Sequence, residues 1–403
     1  MQQWTMSRFR MWIDLIKLSM LSALVFAAQS VVSPILPQYA LTFNVSIALA
    51  GWVISSFAVA RLGIGLPAGI FSDKIGMKRA MVMGLTVGVV ASVVGGGAYA
   101  YSILILARVL SGIGLTLYIT AAVSWLSRIS EGQSRGKMMG LYSSASWMGM
   151  AIGPAVGGGI STLYGIQAPF YLQALFLLAG IAIATRLNEP IFTMIQSPRF
   201  HWRNDLKSLA LNRSLQFVLL SIFIRFFFHS SFRDTLFPLY ASLNLDLKED
   251  QIGLLMASMT VIASLLFLPV GWISDKIGRK AQAMTYHFLA SLFVLLVPLQ
   301  TSFHSLLYVA VINGVTQGLY GSIHMWTADV SPSEQMGTAM GLKRFVSDLG
   351  MFAGSITVTY FNSYFSPSYI AFEPFALLTV LGVVTTIVLT KARDPYLEKL
   401  KRG

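Results

Sequence analysis

"PAGIFSDKIGMKR" occupies positions 67–79 and "PVGWISDKIGRK" positions 269–280. Pro67 and Pro269 are 202 residues apart, as are Asp73 and Asp275, in a chain of 403, and seven of the first ten residues are identical. A glycine, an aspartate and a basic cluster spelled twice at half the chain length point to a duplication that makes two halves. Other pairs agree. "SPILPQYA" at 33–40 matches "DTLFPLYA" at 234–241, and "MGLYSSASWMGMAIG" at 139–153 matches "MGLKRFVSDLGMFAG" at 340–354, both at an offset of 201.

The halves are built from apolar runs. The chain is 55% hydrophobic and 11% charged, where a soluble domain carries ~25% charged residues, and its mean hydropathy is +0.68. Twelve runs stand out, approximately 15–40, 47–71, 80–99, 101–126, 137–163, 168–186, 213–241, 250–273, 282–300, 303–328, 338–362 and 369–391. About 20 residues of helix cross a ~30 Å hydrocarbon core. Such spans must be helical, because lipid offers no partner to an open backbone edge. The expectation is an all-α polytopic membrane protein with twelve transmembrane helices in two pseudo-symmetric six-helix bundles. Residues 1–186 form the first bundle, 187–212 a polar cytoplasmic linker, and 213–403 the second bundle and a cytoplasmic tail. Six spans per half is an even number, so the repeats are parallel and a binding site is expected between them.

The net charge of +13 would suggest nucleic acid in a soluble protein, but its distribution argues otherwise. With the N-terminus inside, Lys17, Lys74, Lys78, Arg79, Arg128, Arg135, Arg203, Lys276, Lys280 and Lys391 all fall in cytoplasmic loops, whereas the opposite loops hold only Lys248. Retained positive charge explains the excess and places both termini in the cytoplasm. The expected home is the cytoplasmic membrane of a prokaryote, with the lipid bilayer rather than nucleic acid as surroundings and the chain as a monomer. With no cysteine, thiol chemistry is excluded. There is no metal-ligand spacing, phosphate-binding glycine loop or serine elbow, so neither an enzyme, an ATP-driven pump nor a cofactor is expected.

At this point the sequence resembles the major facilitator superfamily over nearly its whole length. Gly69-x-x-x-Asp73-Lys74-x-Gly76-x-Lys78-Arg79 is similar to that family's loop after helix two, and Gly271, Asp275 and Gly278 repeat it. The residues have a physical reading of their own: Gly69 allows a close helix approach, Asp73 accepts from amides or cations, and Gly76 permits a tight turn. The resemblance implies that the loop latches the halves on the cytoplasmic side, with Arg344 as the expected partner of Asp73.

In span five, Gly149, Gly153, Pro154, Gly157 and Gly158 resemble the motif of exporters in this superfamily, while span eleven has Ser355 where Pro154 would fall. A Gly-Pro pair amid small residues bends a helix and lets a neighbour pack closely. In span four, Arg108 lies in "ARVLSGIG", similar to the motif of proton-coupled members; span ten has Ala310 at that place. An ionisable residue within a span is a functional candidate by default. Span one lacks the carboxylate that some drug/proton antiporters carry, whereas Asp234 of span seven falls at the Ser33 position. Arg61 and Asp348, both ~15 Å from the cytoplasmic side, form a candidate pair that makes and breaks between states, the alternatives being a static pair or Asp348–Arg344 pairing within the helix. Arg225, His229 and Arg233 recur four apart in span seven, beside Asp234. Gln29, Tyr118, Trp147 and Phe232 are candidate lining residues of a substrate cavity.

The reading is a secondary active transporter exporting small amphiphilic compounds in exchange for protons. The alternative is uptake of a small organic anion, sugar or other metabolite by symport or facilitation, which the intramembrane arginines would suit.

Overall fold

The computed structural model describes residues 2–129, 135–188, 208–209, 211–320, 323–332 and 335–394. Most of the expected linker, and the side chain of Asp275, lie outside the described residues. Among the described residues twelve helical passes follow one another. The first half has helix one (Gln2–Val31, resuming as Leu36–Leu41), two (Ile47–Ile75), three (Met77–Gly96), four (Tyr101–Ile129), five (Arg135–Tyr164) and six (Ala168–Ala184). Helix seven runs Arg213–Phe228, His229–Leu236 and Phe237–Leu243, and helix eight Glu249–Ile277. Helix nine is Arg279–Val294, ten Phe303–Gly318 with Ile323–Val330, eleven Met336–Phe365 and twelve Glu373–Leu389. By length and apolar composition alone, seven described stretches suffice to cross a membrane. Helices six and twelve, at 17 residues each, fall just short.

The chain divides into two compact units. One comprises Met1–Val45, Ser56–Ile195 and Lys248–Ala257, and the other Ser46–Ser55, Gln196–Leu247 and Ser258–Gly403. The first unit packs around Leu15, Leu21, Met81, Leu85, Trp125 and Leu177. Its helices approach closely at small residues. A Cβ on Gly84 would meet the Gly114 carbonyl at 2.6 Å, and one on Gly112 the Phe57 carbonyl at 2.5 Å. In the second unit a Cβ on Gly314 would meet the Met259 carbonyl at 2.7 Å. Both residues of that contact lie 202 beyond those of the Gly112–Phe57 contact, so the duplication preserves the packing as well as the letters.

Where each half reaches its shared proline, the helix is irregular. Proline has no N–H and its ring crowds the carbonyl four residues back. Before Pro37, helix one breaks into turns over residues 32–35. Before Pro238, helix seven instead widens into a π-helical stretch, His229–Leu236. Neighbouring hydroxyls satisfy the displaced backbone. Thr235 Oγ1 donates to the Ser230 carbonyl at 2.8 Å, and Ser230 Oγ to the Met351 carbonyl at 2.7 Å. Ser355 Oγ lies 3.1 Å from the Ser230 carbonyl and 2.8 Å from Thr235 Oγ1. Ser355 is the residue that replaces proline in helix eleven, so the difference between the halves supports the π turn.

Candidate functional site

The widened turn gathers the charges of helix seven. In an α-helix His229 and Asp234 would diverge, since residues five apart do not share a face; in a π-helix they do. Asp234 Oδ2 lies 3.7 Å from His229 Nε2. Asp234 Oδ1 accepts from Arg233 Nη1 at 3.0 Å, and Arg233 Nη2 donates to Thr260 Oγ1 at 2.9 Å. The expected stripe with Asp234 on an adjoining face is therefore replaced by one cluster. Of the three, Arg233 is buried, while His229 and Asp234 are half-buried.

The cluster forms one wall of a cavity inside the second unit. Arg225, Phe228, His229, Phe232 and Arg233 of helix seven face Tyr286 of helix nine and Asn313, Thr316 and Gln317 of helix ten. Phe232 lines this cavity. Arg225 is 8% exposed. Its guanidinium lies 4.9 Å from the Tyr320 ring centroid and 5.4 Å from that of Tyr286, where the negative π faces attract a cation. Sequence reading missed Tyr286, Tyr320, Asn313 and Gln317. The repeat carries the signal that was available: at its offsets Arg225, His229 and Arg233 fall on Leu24, Ala28 and Val32, and Tyr286 on Gly84.

In the first unit, Arg108 and Arg61 stand over one ring, that of Phe57, at 4.6 and 5.5 Å. Gln29 Oε1 accepts from Ser111 Oγ at 3.4 Å. Trp147 is half-buried on helix five. Tyr118 corrects its expectation. It is fully buried in the core cluster with Leu85 and Trp125 rather than opening on a cavity, because helix four lies against helix three at Gly84, beside the Tyr118 backbone.

The signature loop also differs from expectation in part. Gly76 and Gly278 have φ of 93° and 90° and precede helices three and nine, a conformation that a side chain disfavours. Gly69, expected at a tight approach, has room: a Cβ there would meet only Thr120 Cγ2 at 4.0 Å. Asp73 pairs within its unit with Arg128 at 3.1 Å; the expected pairing with Arg344 joins residues of different units. In the second unit Asp329, the residue 201 after Arg128, pairs with Arg279 at 3.4 Å. The lysines have a role the sequence did not show. Lys78 Nζ donates to the Leu187 carbonyl at 2.9 Å and Lys280 Nζ to the Thr390 carbonyl at 2.6 Å, each closing the carbonyl end of its unit's sixth helix. Arg79 is exposed.

The helix-five motif is a packing surface with two faces. A Cβ on Gly149, Gly153 or Gly157 would strike helix one, at Ala23, Ser30 and Val31 respectively, and one on Gly158 would strike the Glu249 carbonyl. Pro154 sits within an unbroken helix, and its carbonyl is the atom that a Cβ on Gly253 would strike. The counterpart in the second unit is Gly51 against Ser355, where an added Cβ would meet the Ser355 carbonyl at 2.7 Å. On helix eleven, Asp348 is 2% exposed and Arg344 is half-buried. Among the described residues no group of three metal-ligating side chains comes together.

This arrangement of twelve helices in two repeated bundles, with charges held inside them, defines a membrane transporter rather than an enzyme. The family model of the Major Facilitator Superfamily matches residues 18–246 and 222–403, so the chain belongs to that superfamily. It is 27% identical to an uncharacterized MFS-type transporter of Methanocaldococcus jannaschii over 81% of this chain and 85% of that protein. It is 25% identical to multidrug resistance protein 2 of Bacillus subtilis over 63% of this chain and 65% of that protein, just under two thirds of its length. Among solved structures, a bacterial homologue of the human lysosomal transporter Spinster superposes with a TM-score of 0.72 at 17% identity, covering 96% of both chains. That likeness concerns the fold alone.

Proposed function

We propose that this transporter exports small amphiphilic compounds in exchange for protons by alternating access, in the cytoplasmic membrane of a prokaryote, as a monomer with both termini inside. The observation that carries the proposal is the half-buried Asp234 carboxylate, shared by Arg233 at 3.0 Å and His229 at 3.7 Å. The name of the Bacillus subtilis relative, a multidrug resistance protein, and the exporter-like packing surface of helix five support the direction and the substrate class.

A proton arriving at Asp234 neutralises the carboxylate and frees Arg233 and His229. Losing one partner of a buried pair is worth ~3–5 kcal/mol, enough to reverse the populations of two conformers. Arg108 on helix four and an Arg61–Asp348 pair would respond to the same change. The loops at Asp73 and Asp275, with Arg344 as the proposed partner of Asp73, would hold the inner side shut.

The test is efflux of fluorescent amphiphiles from loaded cells producing wild type, Asp234→Asn or Asp348→Asn, from about pH 6 to 8. Loss of pH-dependent efflux in at least one variant is expected. Wild-type rates in both, at every pH, would sink the proposal.

A further inference from the structure

We propose that the cavity of the second unit receives a singly charged anionic group of the substrate, a carboxylate, with Arg225 as its receptor. The inference rests on the reading of the chain as a transporter of amphiphilic compounds and names the class of compound. Arg225 is a buried cation. Among the described residues no carboxylate lies within ion-pair distance of it, and its Nε has no hydrogen-bond partner. Its surroundings are the rings of Tyr286 and Tyr320, which hold the guanidinium without neutralising it. Desolvating an unneutralised charge inside a bundle is costly, so an anion arriving there gains more than it would in water.

The other charges on the walls do not answer this one. Asp234 is engaged by Arg233 and His229, and Arg233 also by Thr260. With His229 neutral the cluster carries one surplus positive charge, which a monoanion balances and a dianion would exceed. The polar groups beside it are suited to an anion. Asn313 Oδ1 accepts from Gln317 Nε2 at 2.6 Å, leaving the Asn313 amide N–H groups without a protein acceptor among the described residues. His229 Nδ1 also has no partner. Phe228 and Phe232 of helix seven add apolar lining to the same cavity. The donor groups and the aromatic lining match the chemistry of a flat apolar body carrying one carboxylate, which this narrow cavity would have to widen to admit.

The test uses the full chain in lipid nanodiscs and a matched pair of probes, 2-naphthoate and 2-naphthamide, of nearly equal shape and different charge. Binding is read by equilibrium dialysis. A charge-assisted hydrogen bond to a buried guanidinium predicts roughly tenfold or greater preference of wild type for the carboxylate. Arg225→Gln should reduce that preference to about twofold or less, and Arg225→Lys should keep part of it. Wild type that binds the amide as well as the carboxylate, or Arg225→Gln that retains the full preference, would overturn the inference. If Arg225→Gln does not fold, the wild-type ratio and the lysine variant still decide. Proton flux on adding 2-naphthoate to proteoliposomes separates the two ideas: binding with charge preference but no flux leaves the site and rejects proton coupling, whereas flux without charge preference does the reverse.

Discussion

At the scale of single residues, the signature loop separates letters that the backbone requires from letters that it does not. Gly76 and Gly278 hold positive φ with extended ψ, a region nearly confined to glycine in which a side chain costs roughly 1–3 kcal/mol. Gly76→Ala and Gly278→Ala should each lower the unfolding midpoint in detergent, while Gly69→Ala, with nothing nearer than 4.0 Å, should not. Equal midpoints for all three would contradict the backbone argument. Asp73 and Arg128 form an exposed pair, with side chains 64% and 41% accessible. Such pairs contribute about 1 kcal/mol or less. Asp73→Asn should therefore leave the midpoint nearly unchanged and yet slow transport, if the loop is a latch. A midpoint that falls in step with the transport rate would assign Asp73 to folding instead.

At the scale of elements, helix seven is where reading and structure part. The stripe of Arg225, His229 and Arg233 is visible in the sequence at a spacing of four, but the spacing presumes an α-helix. Pro238 and the hydroxyls of Ser230, Thr235 and Ser355 make it a π turn, and that is what turns Asp234 toward His229. Nothing local in the sequence says whether a proline will break a helix, as before Pro37, or widen it. The partner Ser355 lies on helix eleven and becomes meaningful only when the halves are aligned. Ser355→Ala removes a hydroxyl from the widened turn and should cost about 1–3 kcal/mol of stability. It should also weaken the energetic coupling between His229→Gln and Asp234→Asn in a double-mutant cycle on transport. Coupling that survives intact would mean that the turn does not depend on Ser355. Helix five was more legible, because small residues at intervals of four announce a packing face. Gly157→Ala sets a methyl against the helix-one backbone at Val31 and should cost about 1–3 kcal/mol by overpacking, measured as loss of folded protein on size exclusion. A fully folded, unaltered variant would contradict the close approach.

At the scale of the whole molecule, the duplication decides the architecture, and the departures from it mark the site. Twelve apolar spans, the paired loops and the shared prolines were all readable, because the fold depends on period and repetition. The cavity was readable only in part. Arg225, His229, Arg233 and Phe232 are close in the chain, but Tyr286, Tyr320 and Asn313 reach the site from helices nine and ten through tertiary packing. Tyr118 was misplaced for a related reason: its ring type suits a cavity, but its helix face belongs to a core. Proton coupling through Asp234 is the account's central claim. The most direct measurement is proton movement, followed by a trapped pH dye, in proteoliposomes given an imposed pH gradient and then an amphiphilic substrate. The account predicts proton flux opposite to the substrate, absent in liposomes carrying Asp234→Asn. Proton flux in the same direction as the substrate, or substrate movement with no proton flux at all, would contradict it.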